Sequence, residues 1–119
     1  MQNKPLVYLA SPYSKGDRFL NTMAAVIKYR ELLEDGIVNP VCPLLSGLIP
    51  AADDTPWERW IEVDIAILDR CDAVFSFNSI VNQYVQVGSK GRDMEVEHAF
   101  GKGKPVFITK TDLYEWAAK

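Results

Sequence analysis

Short, continuously apolar segments alternate along this chain with longer segments of helical periodicity. Strands are predicted at 5–10, 37–41, 73–77 and 105–108, and helices over about 18–35, 56–70, 90–100 and 112–118, the second capped by Thr55 and the last by Thr111. Strands that are apolar on both faces are typical of a parallel sheet covered by helices on both sides. The 119 residues fit a single domain with one sheet. The sequence therefore predicts one α/β domain over 1–119, with three layers and a mainly parallel sheet of four or five strands.

Charge and cysteine content exclude several classes of protein. Thirteen basic and 16 acidic residues give a net charge of −3, which argues against a nucleic-acid polymer as partner. No apolar run reaches the roughly 18 residues that cross a bilayer, so we expect a cytoplasmic protein without a membrane partner. Cys42 and Cys71 match no metal-binding spacing, and we expect both to be buried small hydrophobic residues.

Asp64 is the most informative single residue. It lies within an apolar stripe at helical spacing that Trp57, Trp60, Ile61 and Leu68 define. A carboxylate that faces a core is costly, so it becomes neutral or finds partners. Two interpretations stay open: a structural aspartate satisfied by a neighbouring loop or helix end, or a carboxyl with a raised pKa that faces a cleft and transfers protons.

A second candidate carboxylate lies where a loop passes into a helix. The segment opens at Ser89, and its backbone N–H groups are predicted to point into the crevice at the carboxyl ends of the strands, where they attract an anion. Val96, Ala99 and Phe100 are predicted to pack on the sheet, which places Glu95 at the edge of that face, within reach of the cleft. The alternative is that Glu95 only complements the helix dipole and Ser89 is an ordinary N-cap.

Glu95 and His98 have the Glu-x-x-His spacing of carboxylate-bridged metal proteins. Those sites need the motif on two helices, whereas this chain has one histidine. We therefore expect no metal and no other cofactor.

The loop after the first strand is rich in hydrogen-bond donors. Ser11, Ser14 and Arg18 suit a phosphate or a sugar hydroxyl, although the loop has neither a Walker A pattern nor GxGxxG. A plain turn between strand and helix explains the same residues equally well.

Four motifs occur together in the order found in a known family. They are Tyr-Leu-Ala-Ser-Pro-Tyr at 8–13, Asp64 on a helix that leads to Cys-Asp-Ala-Val at 71–74, Ser-x-Gly-x-x-x-Glu-x-x-x-Ala at 89–99, and Gly-Lys-Pro-Val at 103–106. The ordered set covers nearly the whole chain and resembles the nucleoside 2-deoxyribosyltransferase superfamily. The nearest members are small bacterial and phage proteins that open with this strand, and the 2′-deoxynucleoside 5′-phosphate N-hydrolases. The resemblance implies a flavodoxin-like (Rossmann-like) domain.

The resemblance also implies roles for single residues. Glu95 matches the catalytic glutamate that attacks the anomeric carbon, Asp64 matches the acid or orienting carboxyl, and Tyr13 lies near a tyrosine that orients the nucleophile. Ser89 with Gly91 resembles the hydrolase branch, in which serine binds the 5′-phosphate. The implied activity is hydrolysis of the N-glycosidic bond of a nucleoside 5′-monophosphate. The alternatives are exchange of bases on a nucleoside, and a nucleotide-binding module without turnover.

Partners follow from the same resemblance. Ser11, Ser14 and Arg18 are expected to hold phosphate and sugar together with Ser89 and Gly91. Relatives complete each active site with residues of a neighbouring subunit. Trp57 and Trp60, with Met94 and His98 facing away from the sheet, are further apolar surface that favours a partner chain, so we expect a homodimer or homotetramer. One departure is Glu97, which stands where the family has glycine.

Overall fold

The computed structural model describes residues 3–10, 18–42, 57–77 and 90–119. Within these ranges four strands alternate with four helices. The elements are β1 (Leu6–Ala10), α1 (Arg18–Asp35), β2 (Asn39–Val41), α2 (Trp57–Leu68), β3 (Ala73–Ser76), α3 (Lys90–Gly101), β4 (Val106–Phe107) and α4 (Lys110–Ala117). The predicted α/β class is confirmed. None of the helices in the described ranges is both long enough and apolar enough to span a membrane.

The sheet has the order β2-β1-β3-β4, and every pair of neighbouring strands is parallel. This is the flavodoxin-like order, in which the chain first builds outward from β1 through β2 and then crosses to β3 on the other side. Ligands in such sheets bind where the order reverses, beyond the carboxyl ends of β1 and β3. In this chain that point follows Ala10 and Ser76, which are paired in register.

Hydrogen bonds join β1 and β3 at both ends. At the amino end, the Leu6 amide donates to the Asp72 carboxylate and the Asp72 amide donates to the Leu6 carbonyl, each at a donor–acceptor distance of 2.8 Å. At the carboxyl end, the Phe77 amide donates to the Ala10 carbonyl over 3.1 Å. The two strands that border the expected crevice are therefore held together along their whole length.

The two faces of the sheet are covered by separate hydrophobic cores. Successive residues of β1 point to opposite faces, as the pleat of a strand requires. Val7 and Leu9 enter the core built with α1 and α4, whose buried members include Ala25, Leu32, Val38, Phe75 and Leu113. Tyr8 and Ala10 enter the core built with α2 and α3, whose members are Leu68, Cys71, Val74 and Ala99. Cys42 and Cys71 are both buried, as predicted.

The face of α3 that packs on the sheet differs from the prediction. Ala99 is fully buried, but Phe100 is 65% exposed and does not contribute to the core. The buried face instead runs through Glu95 and Ala99, which are four residues apart and therefore lie on one side of the helix. Hydrophobicity alone suggested Phe100, whereas the direction of the helix across the sheet selects Glu95.

The end of the chain also differs from the prediction. The strand β4 is shorter than 105–108, because Ile108 is already outside the ladder and 73% exposed. The last helix is capped by Thr109 and not by Thr111: Thr109 has an extended backbone, and its hydroxyl accepts a hydrogen bond from the Asp112 amide over 3.2 Å. The earlier threonine is selected because the chain leaves the sheet one residue sooner.

This assignment predicts that Thr109→Ala destabilises the protein by about 0.5–2 kcal/mol, since an amide of the first turn of α4 loses its acceptor. Thr111→Ala is the matched control, because it removes the same group from an exposed position inside the helix. Urea denaturation of the two variants measures the difference. Equal losses of stability would show that Thr109 is not the cap.

Candidate active site

Three ionisable side chains from three elements meet in the core between the sheet and the helices α2 and α3. Tyr8 comes from the middle of β1, Asp64 from α2 and Glu95 from α3. Both carboxyls act electrostatically on the Tyr8 hydroxyl, and Asp64 acts on Glu95. The sequence named the two carboxyls as candidates separately, and the fold brings them together.

Tyr8 provides an unpartnered polar group at the centre of this cluster. Its side chain is 1% exposed, and within the described part of the chain its hydroxyl makes no hydrogen bond of standard geometry. The hydroxyl nevertheless lies close enough to Glu95 to favour the ionised carboxylate. Burial, followed by the negative charges of Glu95 and Asp64, raises the pKa of Tyr8 far above its ordinary value, so it stays protonated and remains a donor. A buried hydroxyl without a partner is unusual and is often part of a functional site.

Glu95 is buried, and not at the edge of a cleft as the sequence suggested. It is 7% exposed. Desolvation raises the pKa of Glu95 to about 8, the negative charge of Asp64 contributes in the same direction, and the Tyr8 hydroxyl opposes both. A residue that served only the helix dipole would remain in water with an ordinary pKa, so the dipole interpretation does not account for this placement.

Asp64 is half-buried within its apolar stripe, as the spacing on α2 predicted. Burial raises the pKa of Asp64 to about 6. Burial is the cause named for this shift, and it acts in the direction expected for a carboxyl whose charge is poorly solvated.

The two carboxyls together hold about one proton near neutral pH. Their pKa values of about 6 and about 8 bracket pH 7, and the two groups interact, so the values describe the pair. Two carboxyls that share a proton can provide a nucleophile or base and a proton donor in the same site. Acid–base chemistry is therefore within the reach of this cluster.

The remaining predicted site residues are not tested by the structure. Ser11, Tyr13, Ser14 and Ser89 lie outside the described residues, and their roles stay predictions. Arg18 and Gly91 lie in the first turns of α1 and α3, and the placement of the Arg18 side chain is likewise outside the described part.

Tyr8 is the functional candidate that the sequence analysis missed. A usable signal was present: Tyr8 carries the only side-chain hydroxyl in a strand that is otherwise apolar on both faces. Such a group has to find its partner in one of the two cores. The sequence does not show which core, because that depends on the register of β1 and on the side to which α2 and α3 cross.

His98 does not join the carboxyl cluster. Its Nε2 atom lies 2.6 Å from Oδ1 of Asp69, at the end of α2. His98 is thus paired within its own chain, and the prediction that its side of α3 meets another chain stays a prediction. Among the residues that the structure describes, no group of three histidine, cysteine or acidic side chains is placed to bind a metal.

A groove of about 380 Å³ lies elsewhere, beside α2, with Leu6, Val41, Val63 and Ile67 in its lining. None of the three clustered groups lines it. Its walls are mostly apolar. We therefore define the candidate site by the carboxyl cluster and not by this groove.

No family model matches the sequence, and no curated protein matches it either.

The buried carboxyls predict how the stability of the fold depends on pH. A carboxyl whose folded pKa is raised stabilises the folded state below its unfolded pKa, and this contribution is lost as pH rises through the folded value. The free energy of unfolding should therefore fall between about pH 5 and pH 8. In Glu95→Gln most of this fall should disappear, which makes the variant more stable than wild type at pH 8 by roughly 2–4 kcal/mol.

Urea denaturation between pH 5 and pH 9 measures this difference. Glu97→Gln is the matched control, since Glu97 is an exposed glutamate on the same helix. Parallel pH profiles for wild type and Glu95→Gln would contradict a buried, protonated Glu95.

Proposed function

We propose that the protein hydrolyses the N-glycosidic bond of a nucleoside 5′-monophosphate, with Glu95 as the nucleophile. The observation that carries the proposal is the burial of Glu95 between the unpartnered Tyr8 hydroxyl and the half-buried Asp64. The same two carboxyls match the family that the sequence resembles. The site lies on the α2 and α3 side of β1, one of the two strands that border the crevice of this sheet order.

The chemistry needs one carboxylate and one acid. The Glu95 carboxylate attacks the anomeric carbon while the bond to the base breaks, and the bonding electrons leave with the base nitrogen, which takes a proton from Asp64. Water then attacks the glycosyl ester and gives its proton to Asp64, which releases the sugar phosphate and restores Glu95. Two successive displacements retain the configuration of the sugar.

Desolvation strengthens the interaction that this route requires. Positive charge develops on the sugar ring in the transition state, and a buried carboxylate attracts it more strongly than a hydrated one. The cost is that Glu95, with a pKa of about 8, holds the shared proton in the free site. The nucleophilic step therefore requires that proton to pass to Asp64 or to solvent when substrate binds.

Tyr8 is the residue that orients Glu95 in this proposal. Its hydroxyl can donate only to a neighbour within the core, and the Glu95 carboxylate is the group it already favours in the ionised form. A hydrogen bond formed from this hydroxyl when substrate binds would hold one carboxylate oxygen and leave the other for the anomeric carbon.

The phosphate is assigned to the start of α3. The first amides of a helix lack partners within the helix and attract anions, and α3 starts at Lys90, directly after Ser89. The sheet order predicts a ligand beyond the carboxyl ends of β1 and β3, and the proposal adds the donors predicted in the segment after β1 to this phosphate site. A homodimer or homotetramer remains part of the proposal, and exposed Met94 on α3 is available for such a contact.

The proposal predicts release of free base from at least one nucleoside 5′-monophosphate. Wild type is incubated with a panel of ribo- and deoxyribonucleoside monophosphates and the matching unphosphorylated nucleosides, and free base is measured by chromatography. Glu95→Ala and Glu95→Gln should each lower the rate more than about 1,000-fold, because the nucleophile is lost. A 2-fluoro-2-deoxy sugar analogue should leave a covalent adduct on Glu95, located by mass spectrometry.

The same panel separates the alternatives. Product formed only when a second base is added would replace hydrolysis by base exchange. Binding of monophosphates without turnover would indicate a nucleotide-binding module. Wild-type rates in Glu95→Ala would exclude Glu95 as nucleophile.

The shared proton predicts the pH profile of catalysis. If the active form carries one proton on the pair, kcat/KM should follow a bell with limbs near the pKa values of about 6 and about 8. In Asp64→Asn the falling limb should vanish, and the rising limb should lie below pH 8 because the like charge beside Glu95 is gone. A falling limb that persists in Asp64→Asn would assign the proton donor to another residue.

A further inference from the structure

The helices that carry the two carboxyls are joined at a second place. Asp69 lies in the turn directly after α2, and His98 lies on α3 one turn beyond Glu95. The His98 Nε2 atom and the Asp69 Oδ1 atom are 2.6 Å apart. Imidazole and carboxylate at this separation form a short hydrogen bond, which is charge-assisted when the imidazole is protonated.

Lys104 fixes the same turn from the other side. It lies between α3 and β4. Its Nζ atom donates to the Cys71 carbonyl at a distance of 2.6 Å and to the Asp69 carbonyl at 3.2 Å. Carbonyls at the end of a helix have no partner within the helix, so a lysine there satisfies them and orders the turn. The end of α2 is thus bound to α3 through a side chain and to the segment after α3 through its backbone.

The contact between His98 and Asp69 and the repulsion between Glu95 and Asp64 have opposite effects on the separation of α2 and α3. Glu95 and Asp64 repel one another when both are ionised, which favours separation of α3 from α2. Asp69 and His98 attract, and so resist that separation. Because Glu95 and His98 are three residues apart, they lie on neighbouring positions of one helix and move together.

We propose that the contact between His98 and Asp69, with the turn ordered by Lys104, positions α3 against α2 and so keeps Glu95 within reach of Asp64. Both residues are positioning residues, since neither belongs to the carboxyl cluster. The inference about catalysis rests on the proposed function, but the inference about geometry does not.

If the contact between His98 and Asp69 only stabilised the fold, its loss would lower the free energy of unfolding without changing the pKa of Glu95. Both side chains are partly exposed, and partly exposed ion pairs contribute little to stability. Loss of the contact should therefore leave the protein folded but shift α3 relative to α2. Among the residues that the structure describes, the ionisable groups that act on Glu95 are Asp64 from α2 and Tyr8 from β1, and those that act on Asp69 are His98, Lys102 and Lys104. Movement of α3 changes the distances from Glu95 to Asp64 and Tyr8, so the pKa of Glu95 provides the readout.

The test is a double-mutant cycle with His98→Ala, Asp69→Ala and the double variant. Glutamate labelled with ¹³C at the carboxyl carbon reports the pKa of Glu95 by NMR titration, without any need for activity. Each single variant should lower this pKa by roughly 0.5–1 unit, since water and distance weaken the two effects that raise it. The double variant should show no further change, because both substitutions break one contact.

Two further variants keep the test decisive. Asp69→Asn retains a hydrogen-bond acceptor for the imidazole, so the pKa of Glu95 should stay close to its wild-type value in this variant. Asp69→Asn also serves if the alanine variants fail to fold. Glu97→Ala, an exposed neighbour of His98, should leave the pKa of Glu95 unchanged. An unchanged pKa in folded His98→Ala and Asp69→Ala, or an equal change in Glu97→Ala, would overturn the proposal.

Activity provides a separate readout. If base release is observed, the single variants should lower kcat by roughly 10-fold with little change in KM, as expected for displaced catalytic groups. If wild type releases no base, the proposed function fails while the NMR cycle still decides the role of the contact.

Discussion

The strand β1 is the element on which both cores depend, because it lies between two other strands and packs against helices on both faces. Val7 and Leu9 point to one core, and Tyr8 and Ala10 point to the other, all of them at most 2% exposed. Tyr8 therefore cannot keep its hydroxyl in water, and the helices α2 and α3 have to supply whatever faces it. A shift in register by one residue would move the hydroxyl into the core of α1 and α4, on the other face of the sheet from Glu95 and Asp64.

The carboxyl cluster costs stability that the surrounding apolar residues have to offset. A buried hydroxyl without a standard hydrogen bond and two carboxyls with raised pKa values are each unfavourable in a core. Leu68, Val74 and Ala99, all fully buried, surround them on the same face of the sheet. Such an arrangement is typical of sites in which polar groups are fixed before a substrate arrives, since charges held in a dry environment need not reorganise during reaction.

The order and type of the elements could be predicted from the sequence, because buried strands and amphipathic helices have different periods. Asp64 could be identified as unusual for the same reason, since its position within an apolar stripe is a local property. The sequence predicts Glu95 at the edge of a cleft, whereas the structure buries it, because the hydrophobic pattern of α3 does not show which of its faces packs on the sheet. Phe100 was assigned to the core for its hydrophobicity alone, and Tyr8 was overlooked because its neighbours are all brought to it by long-range pairing.

The pairing of β1 with β3 also determines when the site can exist during folding. Leu6 and Asp72, which close this pair at its amino end, are 66 positions apart. Closing so long a loop costs more entropy than joining β1 to β2, so contacts of this range slow folding. On a ribosome, Tyr8 emerges well before Asp64 and Glu95, and the cover of the face of β1 that carries its hydroxyl is incomplete until α3 has been synthesised. The order of synthesis thus leaves the most polar part of the core to be completed by the later half of the chain.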